Sequence, residues 1–174
     1  MWKKKSKVYY ILYLLTAAWL PQSSHSRIAK SLRRFWAKRI VNNLGKNVNI
    51  ERYAHFTPEL SIGNNSGIGI KCEMLGKVVI GNDVMMGPEV VIYTINHRFS
   101  CKGLFREQGY EDSKPVVIGD NVWIGRRAMF MAGSSIGSNS VVAAGAVVTK
   151  AFGSGVVVGG VPAKVIGYIG EDNN

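Results

Sequence analysis

The sequence predicts a mainly β fold, a coil of short stacked strands preceded by α-helices. Three observations support this prediction. Bulky apolar residues recur every six positions, one twenty-residue insertion interrupts the series, and residues 1–46 lack the repeat but contain an apolar run among lysines and arginines. A fixed short period indicates a repeat architecture, because each repeat is one structural unit that stacks on its neighbours.

Residues 1–46 carry the whole net charge of the chain. They hold eleven lysines and arginines and no acidic residue, whereas residues 47–174 hold eleven of each sign, which gives +11 and zero. A charge of +11 is typical of nucleic-acid binding, but no nucleic-acid-binding motif accompanies it. We therefore expect no nucleic-acid partner and assign the charge to an N-terminal extension.

The first predicted helix covers residues 8–20, an uncharged apolar run of thirteen. A helix that crosses a bilayer needs about twenty such residues, so this one is too short. Lys3, Lys4 and Lys5 before it imitate the start of a secretory signal peptide. No small-x-small cleavage site precedes Pro21, so we expect the segment to be retained.

The second predicted helix covers residues 27–44, with Gly45 as its stop signal. Its predicted apolar face holds Ile28, Leu32, Phe35 or Trp36, Ile40 and Leu44. A basic amphipathic helix of this kind lies on anionic membrane surfaces. The alternative is that both helices cover the end of the coil and leave their charges in solvent.

The repeat occupies residues 47–170, followed by a polar tail at 171–174. The bulky position is filled in fourteen hexads, by Ile50, Phe56, Ile62, Ile68, Met74, Ile80, Met86, Ile92, Ile118, Ile124, Phe130, Ile136, Val142 and Val148. Small or modest residues stand four positions later in nearly every hexad. An antiparallel domain with chance spacing would not keep fourteen hexads in phase.

Corner signals stand at the right phase of each hexad. Glycine is followed by Asn, Asp or Ser in the segments 63–65, 81–83, 119–121 and 137–139. These residue types tolerate positive φ at little cost, so we expect the chain to bend there. Large residues then fill the interior, and stacked turns bury a continuous core.

The two cysteines indicate a reducing compartment. Cys72 falls at an inward small position, where it is expected to act as a small buried apolar residue. Cys101 lies in the interrupting segment. Two such cysteines form no secreted disulfide framework, so we expect a cytoplasmic protein.

The interruption predicts a functional loop at about 95–115. Asn96 and His97 open it, and Pro115 closes it before the strand pattern resumes. A loop this long in a compact repeat is usually functional. Imidazole titrates near neutrality and suits general-base chemistry, which makes His97 the candidate catalytic residue. Tyr93 and Asn96 are candidates for orienting its ring or binding an acceptor.

Two stretches carry a family resemblance. The run Val117-Ile118-Gly119-Asp120-Asn121-Val122-Trp123-Ile124-Gly125 and the closing segment from Gly159 to Ile166 resemble the hexapeptide-repeat acyltransferases. Within that family the chain is most similar to sugar and capsule O-acetyltransferases, which are grouped with galactoside, maltose and xenobiotic acetyltransferases. The resemblance implies a left-handed parallel β-helix of triangular cross-section, with three hexads per coil and about five coils.

The resemblance also implies a donor and its site. The family uses acetyl-CoA, held in a groove between two subunits of a homotrimer. Position by position, the cofactor-binding residues implied are Trp123, Gly125, Arg126, Ala144, Thr149, Lys150 and Lys164. Trp123 would lie beside the reacting centre, Gly125 would allow close approach, and the lysines suit phosphate. Arg126 departs from the small residue often found there.

The function implied is acetyl transfer to a sugar hydroxyl during surface polysaccharide synthesis, with His97 as the base. The Asn and Asp that bind galactosides in the family have no match near Ser66 or Met74. A lipid-linked saccharide therefore fits better than a free galactoside. Alternatives are a small soluble acceptor, such as an antibiotic or serine, and a non-catalytic binding scaffold.

Zinc chemistry, which some hexapeptide β-helices perform, is not expected here. Catalytic zinc of that kind needs three well-placed histidines. His25 lies outside the repeat, and His55 and His97 are seven hexads apart. Seven hexads are not a whole number of three-hexad coils, so the two side chains would not stack on one face. No metal is therefore expected.

Overall fold

A computed structural model describes residues 4–99 and 102–170 of the chain. Two helices come first, α1 at Lys4–Thr16 and α2 at Arg27–Ile40, and one short 3-10 helix lies at Phe105–Glu107. Eighteen short strands follow α2 in the described residues and coil into three faces. Neither helix in this part of the chain is long and apolar enough to cross a membrane.

Each face of the coil is a stack of parallel strands. The first face holds β1 (Asn43–Leu44), β4 (Ser61–Ile62), β7 (Val78–Ile80), β10 (Val116–Ile118), β13 (Ser135–Ile136) and β16 (Ala151–Phe152). The second holds β2 (Asn49–Ile50), β5 (Gly67–Ile68), β8 (Met85–Met86), β11 (Val122–Ile124), β14 (Ser140–Val142) and β17 (Val156–Gly159), with β18 (Lys164–Tyr168) antiparallel at its end. The third holds β3 (His55–Phe56), β6 (Glu73–Leu75), β9 (Val91–Tyr93), β12 (Met129–Phe130) and β15 (Val147–Val148).

The strand register repeats every three hexads. Ser61 pairs with Val79 on the first face, and His55 pairs with Glu73 on the third. Across the interruption Val79 pairs with Val117, so the whole insertion belongs to one turn. The predicted parallel coil is confirmed, with about six turns. The hexad count gave about five, because β1 precedes the first hexad counted and β16 and β17 follow the last.

The predicted inward positions form the core. Thirteen of the fourteen bulky residues are buried, and only Met86 is partly exposed. The small positions are buried beside them, including Cys72, so its expected role as a small core residue is confirmed. Burial raises the pKa of its thiol to about 11, which leaves it unreactive near neutral pH.

The corners use their residue types in two different ways. Positive φ falls on the third residue of each predicted segment, at Asn65, Asp83, Asn121 and Asn139. The glycine that opens each segment is required by close stacking of turns, because a Cβ on Gly63 would lie 2.6 Å from the carbonyl carbon of Gly81. The Asn or Asp thus makes the bend, and glycine lets the next turn approach.

The two helices cover the first turn. Tyr13 is fully buried, and its hydroxyl donates to the carbonyl oxygen of Ala54 at 2.8 Å. Buried Arg33 donates from Nε to the carbonyl oxygen of Ile50 at 2.6 Å. The coil therefore has its open end closed by helices, as repeat proteins require of their terminal units.

The second helix differs from its prediction in length and in orientation. It ends at Ile40 rather than 44, because Asn43 and Leu44 form a strand of the first turn. Its buried side holds Ala29, Arg33, Ala37 and Ile40. Ile28 and Phe35, which were expected on the apolar face, are 79% and 45% exposed.

Candidate active site

The insertion leaves the coil at the end of β9 and folds back on itself as two hydrogen-bonded arms. The amide of Glu111 donates to the carbonyl oxygen of Asn96 at 2.9 Å, and that of Arg98 donates to Gly109 at 3.1 Å. At the base, Lys114 donates to Thr94 at 2.7 Å. The loop is thus held by its own ladder and by the rigid coil beneath it.

His97 stands on the first arm with an exposed side chain. Its ring lies 4.2 Å from the ring of Tyr110 across the ladder, at an interplanar angle of 35°. Tyr110 therefore covers one side of the imidazole and leaves the rest accessible. Asn96 is half-buried before it, and half-buried Tyr93 ends β9.

A cavity of about 370 Å³ opens beside His97 and is lined also by Arg98, Phe99, Phe105 and Arg106. Its aromatic and basic lining differs from the aliphatic interior of the coil. The sequence prediction missed these four residues and Tyr110, because hexad phasing stops at the insertion. The available signal was the pairing of phenylalanine with arginine twice within the loop, at 98–99 and at 105–106. Cys101 lies outside the described residues.

Five of the remaining predicted residues fall on a different side of the coil. Trp123 projects outward from β11 and is 55% exposed, beside a cavity of about 380 Å³ that Met85, Val141 and Ile169 also line. Arg126 follows at the edge between the second and third faces. Ala144 lies one turn further at the same edge, and exposed Lys164 lies on β18.

Gly125 is explained by the stacking of turns. A Cβ at this position would lie 2.8 Å from the Cα of Ala144 on the next turn. No real side chain makes so close a contact without displacing backbone. Glycine is therefore required here independently of any cofactor.

Arg126 is already paired in the structure. Its Nη2 donates to Oε1 of Glu89 at 2.5 Å, and Nε of Arg127 donates to Oε2 at 2.6 Å. These two hydrogen bonds, Arg126 first, lower the pKa of Glu89 to about 2. Glu89 was not predicted as a partner, and it offsets part of the charge that Arg126 would offer to a phosphate.

Thr149 and Lys150 stand at the edge between the third and first faces, the edge from which the His97 loop emerges. Both are exposed, and they follow β15, which lies two strands beyond β9 on the third face. The predicted site residues thus form two groups. The loop-edge group is Tyr93, Asn96, His97, Thr149 and Lys150; the Trp123 group is Trp123, Gly125, Arg126, Ala144 and Lys164.

The two groups are separated by the width of the third face. Six residues at about 3.3 Å each give a face up to about 20 Å across. One chain alone therefore does not bring His97 and Trp123 to a common point. Among residues 4–99 and 102–170, no three His, Cys, Asp or Glu side chains are grouped to hold a metal ion.

Comparison with known proteins gives the family. The model of the bacterial transferase hexapeptide family, with six repeats, matches residues 115–150. Galactoside O-acetyltransferase of Escherichia coli is 33% identical over 138 residues, which cover 77% of this chain and 67% of that enzyme. The chain spans about two thirds or less of the length of the curated relatives it matches.

Solved structures share the fold across nearly the whole chain. A maltose O-acetyltransferase from Clostridium difficile 630 superposes with a TM-score of 0.81 at 32% identity, covering 97% of this chain and 88% of that one. A galactoside acetyltransferase in complex with coenzyme A gives 0.79 at 29% identity, covering 95% and 81%. The repeat register, the inserted loop and these similarities lead to one conclusion: the chain belongs to the hexapeptide-repeat acetyltransferase family, whose fold is the left-handed parallel β-helix.

Proposed function

We propose that the protein is an O-acetyltransferase that moves an acetyl group from acetyl-CoA to a sugar hydroxyl in surface polysaccharide biosynthesis, such as that of capsule, exopolysaccharide or lipopolysaccharide. The observation that carries the proposal is His97, exposed and held by a hydrogen-bonded loop at the edge of a β-helix of this family. An exposed imidazole on a loop that a rigid scaffold holds in place suits acyl transfer to an alcohol.

In the proposed mechanism His97 removes the proton of the acceptor hydroxyl as its oxygen attacks the thioester carbonyl carbon. The C–O bond forms and the C–S bond then breaks. The imidazolium returns its proton to the departing sulfur, so coenzyme A leaves as the thiol. No covalent acyl-enzyme is needed, because the thioester is already activated. Tyr93 at the end of β9 and Asn96, which directly precedes His97, would help to orient the acceptor.

Acetyl-CoA supplies the activated acetyl group, and the surface offers groups that suit its parts. Exposed Lys150 and Lys164 are point charges for phosphates, and Trp123 with its cavity offers apolar contact to the pantetheine arm. Thr149 and Ala144 border the same path in this proposal. Arg126 contributes less than the lysines, since Glu89 already pairs with it.

We propose a homotrimer because the site is incomplete in one chain. The loop-edge group and the Trp123 group lie on opposite sides of the third face, yet the thioester must meet both. Two neighbouring copies, packed edge to edge, bring the His97 side of one against the Trp123 side of the next. A heterologous contact of this kind closes into a ring under cyclic symmetry.

The proposed acceptor is a lipid-linked saccharide, reached from the cytoplasmic side by a protein bound peripherally through residues 1–46. A free sugar is the second candidate, favoured by the galactoside and maltose acetyltransferases among the similar proteins. Acetylation by vesicles carrying lipid-linked saccharide, compared with free galactosides and maltose, separates the two.

Replacement of His97 by alanine tests the base. We expect kcat to fall by about a hundredfold to ten-thousandfold while acetyl-CoA still binds, since general-base catalysis contributes on that scale. Thiol release and acetyl-CoA binding are measured on the same preparations. His25→Ala is the matched control, because His25 is exposed and its Nδ1 hydrogen-bonds to the hydroxyl of the neighbouring Ser24.

Undiminished turnover in His97→Ala would contradict the assignment of the base. A protein that releases no thiol from acetyl-CoA with any free or lipid-linked sugar would favour the non-catalytic scaffold instead.

A further inference from the structure

The outer side of α1 is an apolar stripe. Its members recur at helical spacing, and each is more than half exposed: Val8 55%, Ile11 55%, Leu15 66% and, just beyond the helix, Trp19 55%. Exposed apolar residues that stand singly need no explanation, but a contiguous stripe indicates a binding surface. The opposite side of α1 is occupied, since Tyr13 is buried against the first turn.

Both helices also expose cations. Exposed Lys4, Lys5 and Lys7 lie at the start of α1, and α2 exposes Arg27, Lys38 and Arg39. A cavity of about 590 Å³ on α2 is lined by Ser31, Arg34, Phe35, Lys38 and Arg39. Residues 1–46 hold no acid to neutralise these charges. In the first turn, half-buried Glu51 accepts hydrogen bonds from Ser23 and Asn49.

The two helices form one layer. Indole Nε1 of Trp36 donates to Oγ1 of Thr16 at 2.9 Å, and the rings of Tyr9 and Trp36 lie 6.2 Å apart. Both helices turn their inner sides to the first turn, α1 through Tyr13 and α2 through Arg33. Their outer sides therefore make a single surface that combines the apolar stripe of α1 with cations on both helices, and α2 adds exposed Ile28 and Phe35.

We propose that this surface docks on an anionic lipid bilayer, with the α1 stripe entering the boundary of the acyl chains and the cations contacting lipid phosphates. The positive charge of the surface, together with its apolar stripe, favours an anionic bilayer over other partners. A second copy of the surface would place cations against cations, and a nucleic acid would leave the apolar stripe in water. Anionic bilayers accept both parts.

The geometry also indicates which part of a lipid-linked acceptor the base can reach, an inference that rests on the proposed function. The His97 loop follows β9, the third strand of its face counted from the helical layer, so it stands about two strand spacings, or about 10 Å, above that layer. A helix adds about 10 Å. A base about 20 Å from the bilayer reaches a saccharide still attached to its lipid, and it acts on sugars near the lipid rather than on a distant chain end.

Vesicle flotation of the full chain tests the surface. Vesicles contain phosphatidylcholine alone or an equimolar mixture with phosphatidylglycerol. We expect binding to the anionic vesicles, weakened by salt, and little binding to the neutral ones. Changing Lys5, Arg27 and Lys38 to glutamine should lower the partition coefficient about a hundredfold at low salt. Each lysine or arginine near an anionic surface adds a similar amount to the free energy of binding, and three are removed. Ile11→Gln with Leu15→Gln lowers it on a similar scale.

Matched controls keep the chemistry at each position. Lys5→Arg, Arg27→Lys and Lys38→Arg preserve charge, Ile11→Leu and Leu15→Ile preserve apolar area, and both sets should bind as the parent does. Absence of binding to anionic vesicles, or binding that the glutamine variants leave unchanged, would overturn the proposal. Variants that change only the oligomer size would show that a second copy covers the surface, which also overturns it.

The same variants separate this inference from the proposed function. Acetylation of a soluble sugar should keep its kcat in the glutamine variants, whereas acetylation of a lipid-linked saccharide in vesicles should fall with binding. Vesicle binding without any transferase activity would leave the docking surface standing and remove only the acceptor argument.

Discussion

Arg33 is the residue on which the helical layer depends most. It is fully buried, and its guanidinium donates to the carbonyl oxygens of Ile50, Leu20 and Pro21 and to the hydroxyl of Ser23. A carboxylate oxygen of Glu51 lies 3.8 Å from Nη2. One planar side chain thus joins α2, the segment after α1 and the first turn, which a lysine cannot do with three donors.

Replacement of Arg33 by methionine should destabilise the protein by about 3 kcal/mol, because it leaves buried acceptors and the Glu51 carboxylate without their partner. Chemical denaturation of the full chain measures the loss. Lys38→Met on the exposed side of the same helix is the control and should change stability little. Equal stability of the two variants would show that the Arg33 network contributes nothing net.

Glu89 gives a pH-dependent prediction. Its folded pKa of about 2 lies below the usual 4.5, chiefly because Arg126 and then Arg127 donate to the carboxylate. A carboxyl group whose pKa is lower in the folded protein than in the unfolded chain stabilises the fold. That stabilisation is fully present at pH values above the unfolded-state pKa and is lost as the pH falls through the folded-state pKa. Glu89→Gln should therefore be less stable than the parent near neutrality, and the difference should shrink as pH falls from about 4.5 towards 2.

Denaturation midpoints of both proteins across that range measure the difference. A gap that stays constant with pH would mean that the carboxylate charge does not matter and that only its shape does.

At the scale of single residues, the sequence predicts those whose role depends on their position within the six-residue repeat. It misses residues whose role depends on a partner far along the chain. Ile62 and Cys72 were found because the six-residue period assigns them to the interior. Arg33, Glu89 and Tyr110 were not, because their partners lie far along the chain, on other elements or on the opposite arm of the loop. No local pattern encodes such a pairing.

Among the elements, the turn corner at Gly125 leaves no room for a single added carbon. Gly125→Ala places a Cβ 2.8 Å from the Cα of Ala144, so the two turns must separate. We expect a loss of about 1–3 kcal/mol, as for other overpacked sites. Gly153→Ala is the control, because a Cβ there meets nothing within 4 Å. Thermal unfolding compares the two, and a tolerated Gly125→Ala would refute the stacking explanation.

The helix α2 shows where element-level prediction fails. Its apolar residues do define an amphipathic pattern, but the pattern does not state which side the coil will cover. The first turn packs against the side of α2 that holds Ala29, Ala37 and Ile40, because its small residues let the helix approach closely. Arg33 on the same side donates to the carbonyl oxygen of Ile50 in that turn. Ile28 and Phe35 are left outside.

For the whole molecule, the division of the site between two edges predicts complementation between subunits. In the proposed homotrimer, assemblies made only of His97→Ala chains or only of Trp123→Ala chains should be inactive or impaired. Mixed trimers should regain up to about a quarter of parental activity, because random assembly places both native residues at about one interface in four. Refolding the variants together and measuring thiol release tests this. Mixtures that stay as inactive as the separate variants would place both residues at one site within a single chain.

The helical layer also changes how the acceptor question is best tested. Removing residues 1–44 would uncover the interior of the first turn, including Ile50 and Phe56, and would remove the strand β1. Loss of activity in such a truncation would report a damaged coil as readily as a lost membrane contact. Surface substitutions on α1 and α2 avoid this ambiguity.

Because the strand register is regular, the height of the His97 loop above the helical layer is set by the number of turns between them. Successive strands of a face are about 4.8 Å apart, so a duplicated copy of residues 61–78 would move the His97 loop away from the helical layer by that distance. Nothing else in the loop would need to change, since each turn presents the same edges to the next. A lineage that gains or loses a turn below β9 would thereby change the distance between the His97 loop and the helical layer by a fixed step.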